Sequence, residues 1–457
     1  MTGKHHPDTR ADRGQGRSGG HGTLVAAVGT AALAGLLFGF DTAVIAGVTG
    51  DLTALFALTP ETLGITVSAA LWGTLAGALF AGKPGDAFGS RDSLRVLAAF
   101  YFVAGLGCAL ASSWPAFLVF RFLCGLAIGG SSVLAPVYIA EVSPAERRGM
   151  LVGFFQLSIV LGILAAYVSN FLIGLSLDGD LEWRVKLGVA AAPALLFLLL
   201  LLRVPHSPRW LHHRGRTDEA RSAIGTLSMG DPDTLLAQFG EGAAAPGDDR
   251  LRWRLHRRPI LLAVALAMFN QLSGINAILY YLGDIFAAAG FDSVSADLQA
   301  VAIGVANLLA TILGMAIIDR VGRKPLLLIG ALGTAAALAA VALIYSTGQG
   351  QQLLLPALIG FILFFAVSQG AVIWVYLSEI FPTAVRARGQ SLGSATHWGM
   401  NALIAFGFPV VAQYTQALPF WLFAGAMLVQ AIVIWRYFPE TRGVALETME
   451  RTVEGRG

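Results

Sequence analysis

The chain has 457 residues, of which 56% are hydrophobic and only 13% charged, with a mean hydropathy of +0.68. A soluble domain carries about 25% charged residues, so a cytosolic enzyme, a disordered chain and a nucleic-acid binder are all excluded. The net charge of +3 is small, and Cys108 and Cys124 both lie in apolar runs, which predicts buried free thiols and no disulfide or metal framework.

Residues 1–22 are polar, and the apolar run after them is too long for a signal peptide of about 7–15 apolar residues. They read as a cytosolic tail. A membrane helix needs about 20 mostly apolar residues. Twelve stretches qualify: 23–48, 62–81, 94–111, 116–137, 150–175 and 184–204, then 260–283, 297–318, 325–345, 354–378, 389–413 and 418–437. The expected organisation is a half over 23–204, a linker with short helices over 205–258, a second half over 259–437 and a tail over 438–457. All Lys and Arg but Arg121, Arg184 and Lys186 fall on one side of this arrangement. The excess of positive charge on the cytosolic side of membrane proteins makes that side, with both termini, cytosolic.

Three motifs on this side occur twice at nearly constant separation. Asp86-Ala-Phe-Gly-Ser-Arg91 matches Asp319-Arg-Val-Gly-Arg-Lys324, with Arg323 inside it. Glu141-Val-Ser-Pro144, followed by Arg148, matches Glu379-Ile-Phe-Pro382, followed by Arg386. Pro205-His-Ser-Pro-Arg209 loosely matches Pro439-Glu-Thr-Arg442. Duplication of a six-span unit accounts for the set, giving an all-α membrane protein of twelve helices in two pseudo-symmetric halves with a site between them near the midplane. Topology alone asks only for Lys and Arg. The acids Asp86, Glu141, Asp319 and Glu379, with Arg91, Arg148, Arg323 and Arg386, therefore point to charge pairs that gate the cytosolic side.

In the span interiors, away from the end turns, the ionisable side chains are Asp41, Arg121 and His397, and Asp41 is the one acid. A charge there costs at least ~2.5–3.5 kcal/mol, so each is a candidate for function. One Asp and one Arg in the same half suggest a pair whose protonation switches as the Arg moves. Arg121 falls a few residues into the fourth span and is read as lying between the cytosolic end and the centre, where a snorkelling side chain is the competing reading. A sugar needs amides and aromatic surfaces and no charge. The spans supply Gln156, Asn270, Gln271, Asn276, Asn307, Trp374, His397, Trp398 and Asn401. Asn270, Gln271 and Asn276 are about two turns apart, and His397 and Asn401 are i,i+4 neighbours.

The ordered motifs resemble the sugar porter family of the major facilitators. They are Gly39-Phe-Asp41 to Gly47, Arg121-Phe-Leu-Cys-Gly125, Glu141 to Gly149, Pro205 to Leu211, Asn270 to Asn276, Asp319 to Pro325, Trp374 to Pro382 and Pro439 to Gly443. The resemblance implies Asp41 as proton carrier with Arg121 as its partner. It implies sugar ligands at Gln156, Gln271, Asn276, Asn307, Trp374, Trp398 and Asn401, with Phe38 packing nearby. Asn270 departs from a common Gln, and His397 stands where the family often has Gln or Asn. Ile163 is the residue of glucose facilitators rather than of xylose symporters, which tilts the expectation to a hexose. Ala371 replaces a frequent Pro in span ten. Ser90 and His206 replace a usual Arg and Glu in the cytosolic motifs.

The first reading is a proton-coupled hexose importer, with glucose as the substrate, working as a monomer by alternating access in a plasma membrane. Its partners are a sugar, a proton and the bilayer, with no nucleic acid, cofactor or metal. A passive sugar uniporter and a xylose– or arabinose–proton symporter are the alternatives. A sugar sensor is disfavoured by tails of about twenty residues, and an enzyme by the lack of any nucleophile or phosphate-binding motif.

Overall fold

A computed structural model describes residues 15–144, 147–241, 251–381 and 385–442. Backbone polar groups cannot be left unpaired in lipid, and a continuous helix satisfies them within the segment. Among the described residues, eleven helices are long and apolar enough to cross a membrane: α1 Gly22–Gly47, α2 Pro60–Phe80, α3 Ser90–Leu110, α4 Trp114–Val142, α5 Met150–Gly174, α6 Asp180–Leu201, α7 Trp253–Tyr280, α8 Ser293–Val321, α9 Arg323–Thr347, α10 Gln351–Glu379 and α12 Leu418–Tyr437. The expected eleventh span is α11, Arg386–Ala412, which is as long but diluted by Gln390, His397 and Asn401.

Helices α4 and α8 extend further than their apolar runs. The extra turns carry Glu141 and Asp319 on the helix itself. Three spans are interrupted. Helix α6 is two helices that meet at Val189–Ala190. In α7 the chain turns at Ser273 and Gly274, where Gly274 has φ 79°. In α10, residues Ala366–Gly370 form a π-helical turn directly before Ala371, the position where the family pattern has its proline.

The same packing scheme occurs twice. In the first half α1 lies on α5, α2 on α4, and α3 on α4 and α6; in the second, α7 lies on α11, α8 on α10, and α9 on α10 and α12. Between the halves α2 meets α11 and α5 meets α8, a pair of contacts that exchange under the same correspondence. Small residues permit such approaches: a Cβ on Gly125 would come within 1.9 Å of the Ala70 carbonyl oxygen. The linker forms three short helices, Pro208–His213, Thr217–Thr226 and Pro232–Glu241, around a small core that includes Leu211, Ile224 and Leu236. The tail positions before residue 15 and after 442 lie outside the described residues. So do Pro382 and residues 145–146 of the duplicated motifs.

Candidate functional site

Helix α1 touches α5 backbone to backbone at Gly39, where a Cβ would sit 1.8 Å from the Ile159 carbonyl oxygen. This contact turns the next face of α1, with Asp41, toward α4. Arg121 donates to Asp41 Oδ1 at 2.6 Å, and the Cys124 thiol donates to the same oxygen at 3.3 Å. Arg121 is 3% exposed and Asp41 9%. The arginine therefore does not snorkel. Nor does it lie toward the motif side: α4 begins at Trp114 and ends at Val142, with Glu141 in its last turn, so Arg121 is nearer the opposite end. Cys108 and Cys124 are free and buried, as read.

The ion pair opens on a small cavity that it shares with Phe38, Thr42, Tyr280 and Trp398. Phe38 and Trp398 face each other with ring centroids 5.4 Å apart. From Trp398 the wall continues into the second half. The His397 ring meets Trp398 edge-on at 5.1 Å and Trp374 at 5.2 Å. Gln271 Nε2 lies 3.0 Å from His397 Nε2 and donates to Asn270 Oδ1 at 3.2 Å. Asn276 Nδ2 donates to Gln271 Oε1 at 3.0 Å. Asn270 and Gln271 meet Asn276 because the chain turns at Gly274, a geometry that helical spacing does not describe. Asn401, one turn from His397, donates to the Tyr280 hydroxyl at 3.1 Å. The two aromatic and four amide side chains of α7, α10 and α11 thus join His397 and Tyr280 in one cluster beside the ion pair.

Three expected positions stay outside this network. Gln156 on α5 is half-buried, and Asn307 on α8 and Ile163 on α5 are buried, without a hydrogen bond to the cluster among the described contacts. Tyr280, which joins the two halves of the wall, carries no sequence signal, because an aromatic in an apolar run reads as core. Gln369, in the π turn, accepts from Gln430 at 3.2 Å and through its carbonyl from Asn270 at 3.4 Å. No helical period marks it.

On the motif side the second half is clamped. Arg323 reaches both oxygens of Glu379 at 2.9 and 3.2 Å and Asp319 at 2.9 Å. Thr441 donates to Glu379 at 2.6 Å. The first half does not form the matching set. Arg91 pairs with Asp92 at 2.9 Å, donates to the Val204 carbonyl and contacts His206. Glu141 turns to the hydroxyls of Ser207 and Ser90, with one oxygen left without a partner. Asp86 is exposed and contributes its carbonyl, which accepts from Trp210 and Arg214. Arg148 is exposed and Arg386 half-buried.

The opposite side, where Lys186 is expected, also holds acids at span ends, a place where an acid reads as a loop residue. Lys186 of α6 bridges to Glu182 at 2.7 Å and, across the halves, to Asp297 of α8 at 3.2 Å. The Tyr167 hydroxyl of α5 donates across the halves to the Leu279 carbonyl at 3.1 Å. Asp297 is 7% exposed, and Asp284, just beyond α7, is half-buried with its Oδ2 enclosed. Asp41 is therefore not the one buried acid.

Residues 27–453 match the family model described as "Sugar (and other) transporter". The D-xylose-proton symporter of Escherichia coli (strain K12) is 34% identical over 94% of this chain and 94% of its own length. The glucose facilitated diffusion protein of Zymomonas mobilis is 34% identical over 92% of this chain and 95% of its own. The inward open conformation of the xylose transporter of E. coli superposes with a TM-score of 0.84 at 31% identity, covering 94% of this chain and 99% of that one. A twice-repeated helix packing, a buried acid–arginine pair opening on an amide and aromatic wall, and a match along nearly the whole length agree: the chain belongs to the sugar porter family of major facilitator transporters.

Proposed function

We propose that the protein is a proton-coupled symporter that imports a monosaccharide of the D-xylose class by alternating access. One observation carries the reading: the Asp41–Arg121 pair lines the same cavity as Phe38, Tyr280 and Trp398, so proton and sugar meet in one space. Similarity to xylose–proton symporters favours the pentose alternative over the hexose to which Ile163 pointed. The motif side is taken as cytosolic in the plasma membrane, the two halves as the moving bodies, and the monomer as the working unit.

In this scheme Asp41 carries the proton. A proton on Asp41 leaves Arg121 a buried cation without its counter-charge, a state that costs several kcal/mol. Protonation is thereby tied to a movement of Arg121 or to occupation of the cavity. Gln271, Asn276 and Asn401 offer donors and acceptors to sugar hydroxyls, and Trp374 and Trp398 offer ring faces. The Asn276–Gln271 and Asn401–Tyr280 hydrogen bonds pre-orient these amides. The Lys186–Asp297 bridge holds the opposite side closed, in keeping with the likeness to an inward open conformation.

The test is uptake of labelled xylose and glucose into proteoliposomes with an imposed proton gradient. Wild type is expected to concentrate xylose. Asp41→Asn is expected to lose accumulation but keep exchange between loaded compartments, because exchange needs no proton cycle. Accumulation by the Asn variant would remove Asp41 from the coupling role. A passive uniporter is the second reading, favoured by the likeness to the Zymomonas facilitator, and a wild type indifferent to the proton gradient would establish it.

A further inference from the structure

Beyond the end of α7, the short helix Leu282–Ala288 lies across the outer end of the first half. It packs on the last turn of α1, Ile45–Gly47, and on the helix Thr49–Phe56 that follows it. The approach is backbone to backbone: a Cβ on Gly283 would lie 2.5 Å from the Ala46 carbonyl oxygen. The next residue is Asp284. Asp284 is half-buried, its Oδ2 enclosed and without a hydrogen-bond partner, and Thr49 of the first half is its hydrogen-bonding neighbour. Asp284 makes no ion pair among the described residues.

The charged and titratable groups around it are engaged elsewhere or neutral. On α8, Asp297 is bridged to Lys186, and Asp292 caps the helix start. On the helix Thr49–Phe56, Asp51 faces Glu182, Lys186 and Asp297. Just beyond α7, Tyr281 is the titratable group nearest Asp284 in charge interaction, and its hydroxyl donates to the Ala405 carbonyl. From α9, the Tyr345 hydroxyl donates to the Ile285 carbonyl. The turn Ile45–Gly47 brings no ionisable side chain.

We propose that Asp284 is a second proton-binding site, which takes up a proton from the outer side as the two halves close over it and returns that proton to the same side when they part. The inference rests on the alternating-access reading above, but on neither Asp41 nor the identity of the sugar. An ionised carboxylate with an unpartnered oxygen and no cation is costly to bury, and the neutral acid is much less so. The contact that hides Asp284 is one between the halves, so opening the outer side must return it to water. Closure and protonation are then a single linked equilibrium. The proton does not cross the membrane. It makes the inward-facing population respond to external acidity, which for a proton-driven importer readies the carrier when its driving gradient is present.

Burial pushes the Asp284 carboxyl up to about 6 in the closed state. In the open state an ordinary carboxyl titrates near ~3.9. The extra stability of the closed state is complete below the open-state value and is lost as pH rises through the closed-state value. Between about pH 7.5 and about pH 5 the closed-to-open ratio should rise about tenfold.

The experiment measures distances between spin labels at Ser176→Cys and Gln349→Cys, exposed positions on the outer ends of the two halves, in the full chain in lipid nanodiscs. The native cysteines are buried. The short-distance population of the parent is expected to grow about tenfold relative to the long one over that pH range. Asp284→Asn and Asp284→Ala are expected to show no pH response, with Asn held in the short state, while Asp41→Asn keeps the response. A parent indifferent to pH, or an Asp284→Asn variant that still responds, overturns the proposal. So does loss of the response in Asp41→Asn alone. A distance that moves with xylose but not with pH sinks this inference and spares the transport reading. A single distance that moves with neither sinks both.

Discussion

The two halves of the protein repeat one another in helix packing, yet their motif-side charge clusters are built differently. In the second half Arg323 follows Gly322, and its guanidinium grips Glu379 with both arms while reaching Asp319. In the first half Ser90 follows Gly89 at the matching place, and Glu141 hydrogen-bonds the hydroxyls of Ser207 and Ser90, with the Arg209 charge nearby but no guanidinium gripping it among the described contacts. Both glycines hold a positive φ, 102° and 86°, so the turn is the same and the side chain after it differs. A second departure reinforces the first. Glu440 accepts the backbone N–H groups of Arg323 and Lys324 at 3.0 Å each, satisfying the exposed start of α9. Its counterpart His206 stands against Arg91 and Asp92 instead. Burial and the neighbouring Arg91 charge hold the His206 imidazole below its usual value, so it stays neutral at neutral pH and brings no negative charge. The lesson is that a duplicated backbone can keep its shape while one half loses the ion pairs that tie its loops together.

Arg323→Ser should abolish the contrast by making the second half like the first. It strands Glu379 with its arginine gone, and should cost about 2–4 kcal/mol, a little below a fully buried pair because Glu379 is partly exposed. Thermal unfolding in detergent measures this; a loss no larger than that of Ser90→Ala would mean the clamp is idle. Glu440→His copies the other departure. It frees two N–H groups at the start of α9 and should cost about 1–2 kcal/mol, the scale of a lost helix cap. The same melt would show it, and an unchanged midpoint would make Glu440 a bystander. The smallest effect is expected from Ser90→Arg, which offers Glu141 a cation. With Ser90 buried and little room around it, a gain of no more than about 1 kcal/mol is expected. A fall in melting temperature would show that the first half has repacked around the serine.

Much of this was legible in the sequence. Apolar length marked the spans, and the duplicated motifs marked the two halves. The amides of α7 and α11 stood out because amides are few in the apolar spans, and His397 and Asn401 lie on one face as their spacing requires. What escaped has physical causes. Asp284 and Asp297 fall at span ends, where an acid is indistinguishable from a loop residue until a neighbour from the other half covers it. Lys186 meets its partner across more than a hundred residues of chain, and no local pattern encodes that. Asn276 reaches Gln271 through the turn at Gly274, although their spacing is wrong for a regular helix. Tyr280 reads as core, and only its hydroxyl beside Asn401 gives it a place in the wall.

The π turn in α10 bears on how the binding wall is aimed. An α-helix advances its side chains by about 100° per residue. A π turn carries a surplus residue in that rotation. The stretches before Ala366 and after Gly370 therefore run out of phase with each other, as two screws cut with offset threads. Phe361 and Phe365 are aimed by the first thread into the hydrophobic interior, and Trp374 by the second toward His397. The angular offset between them is stored in five residues, Ala366–Gly370, and if that turn rewound to a regular helix the whole inner end of α10, from Trp374 to Glu379, would rotate as one piece.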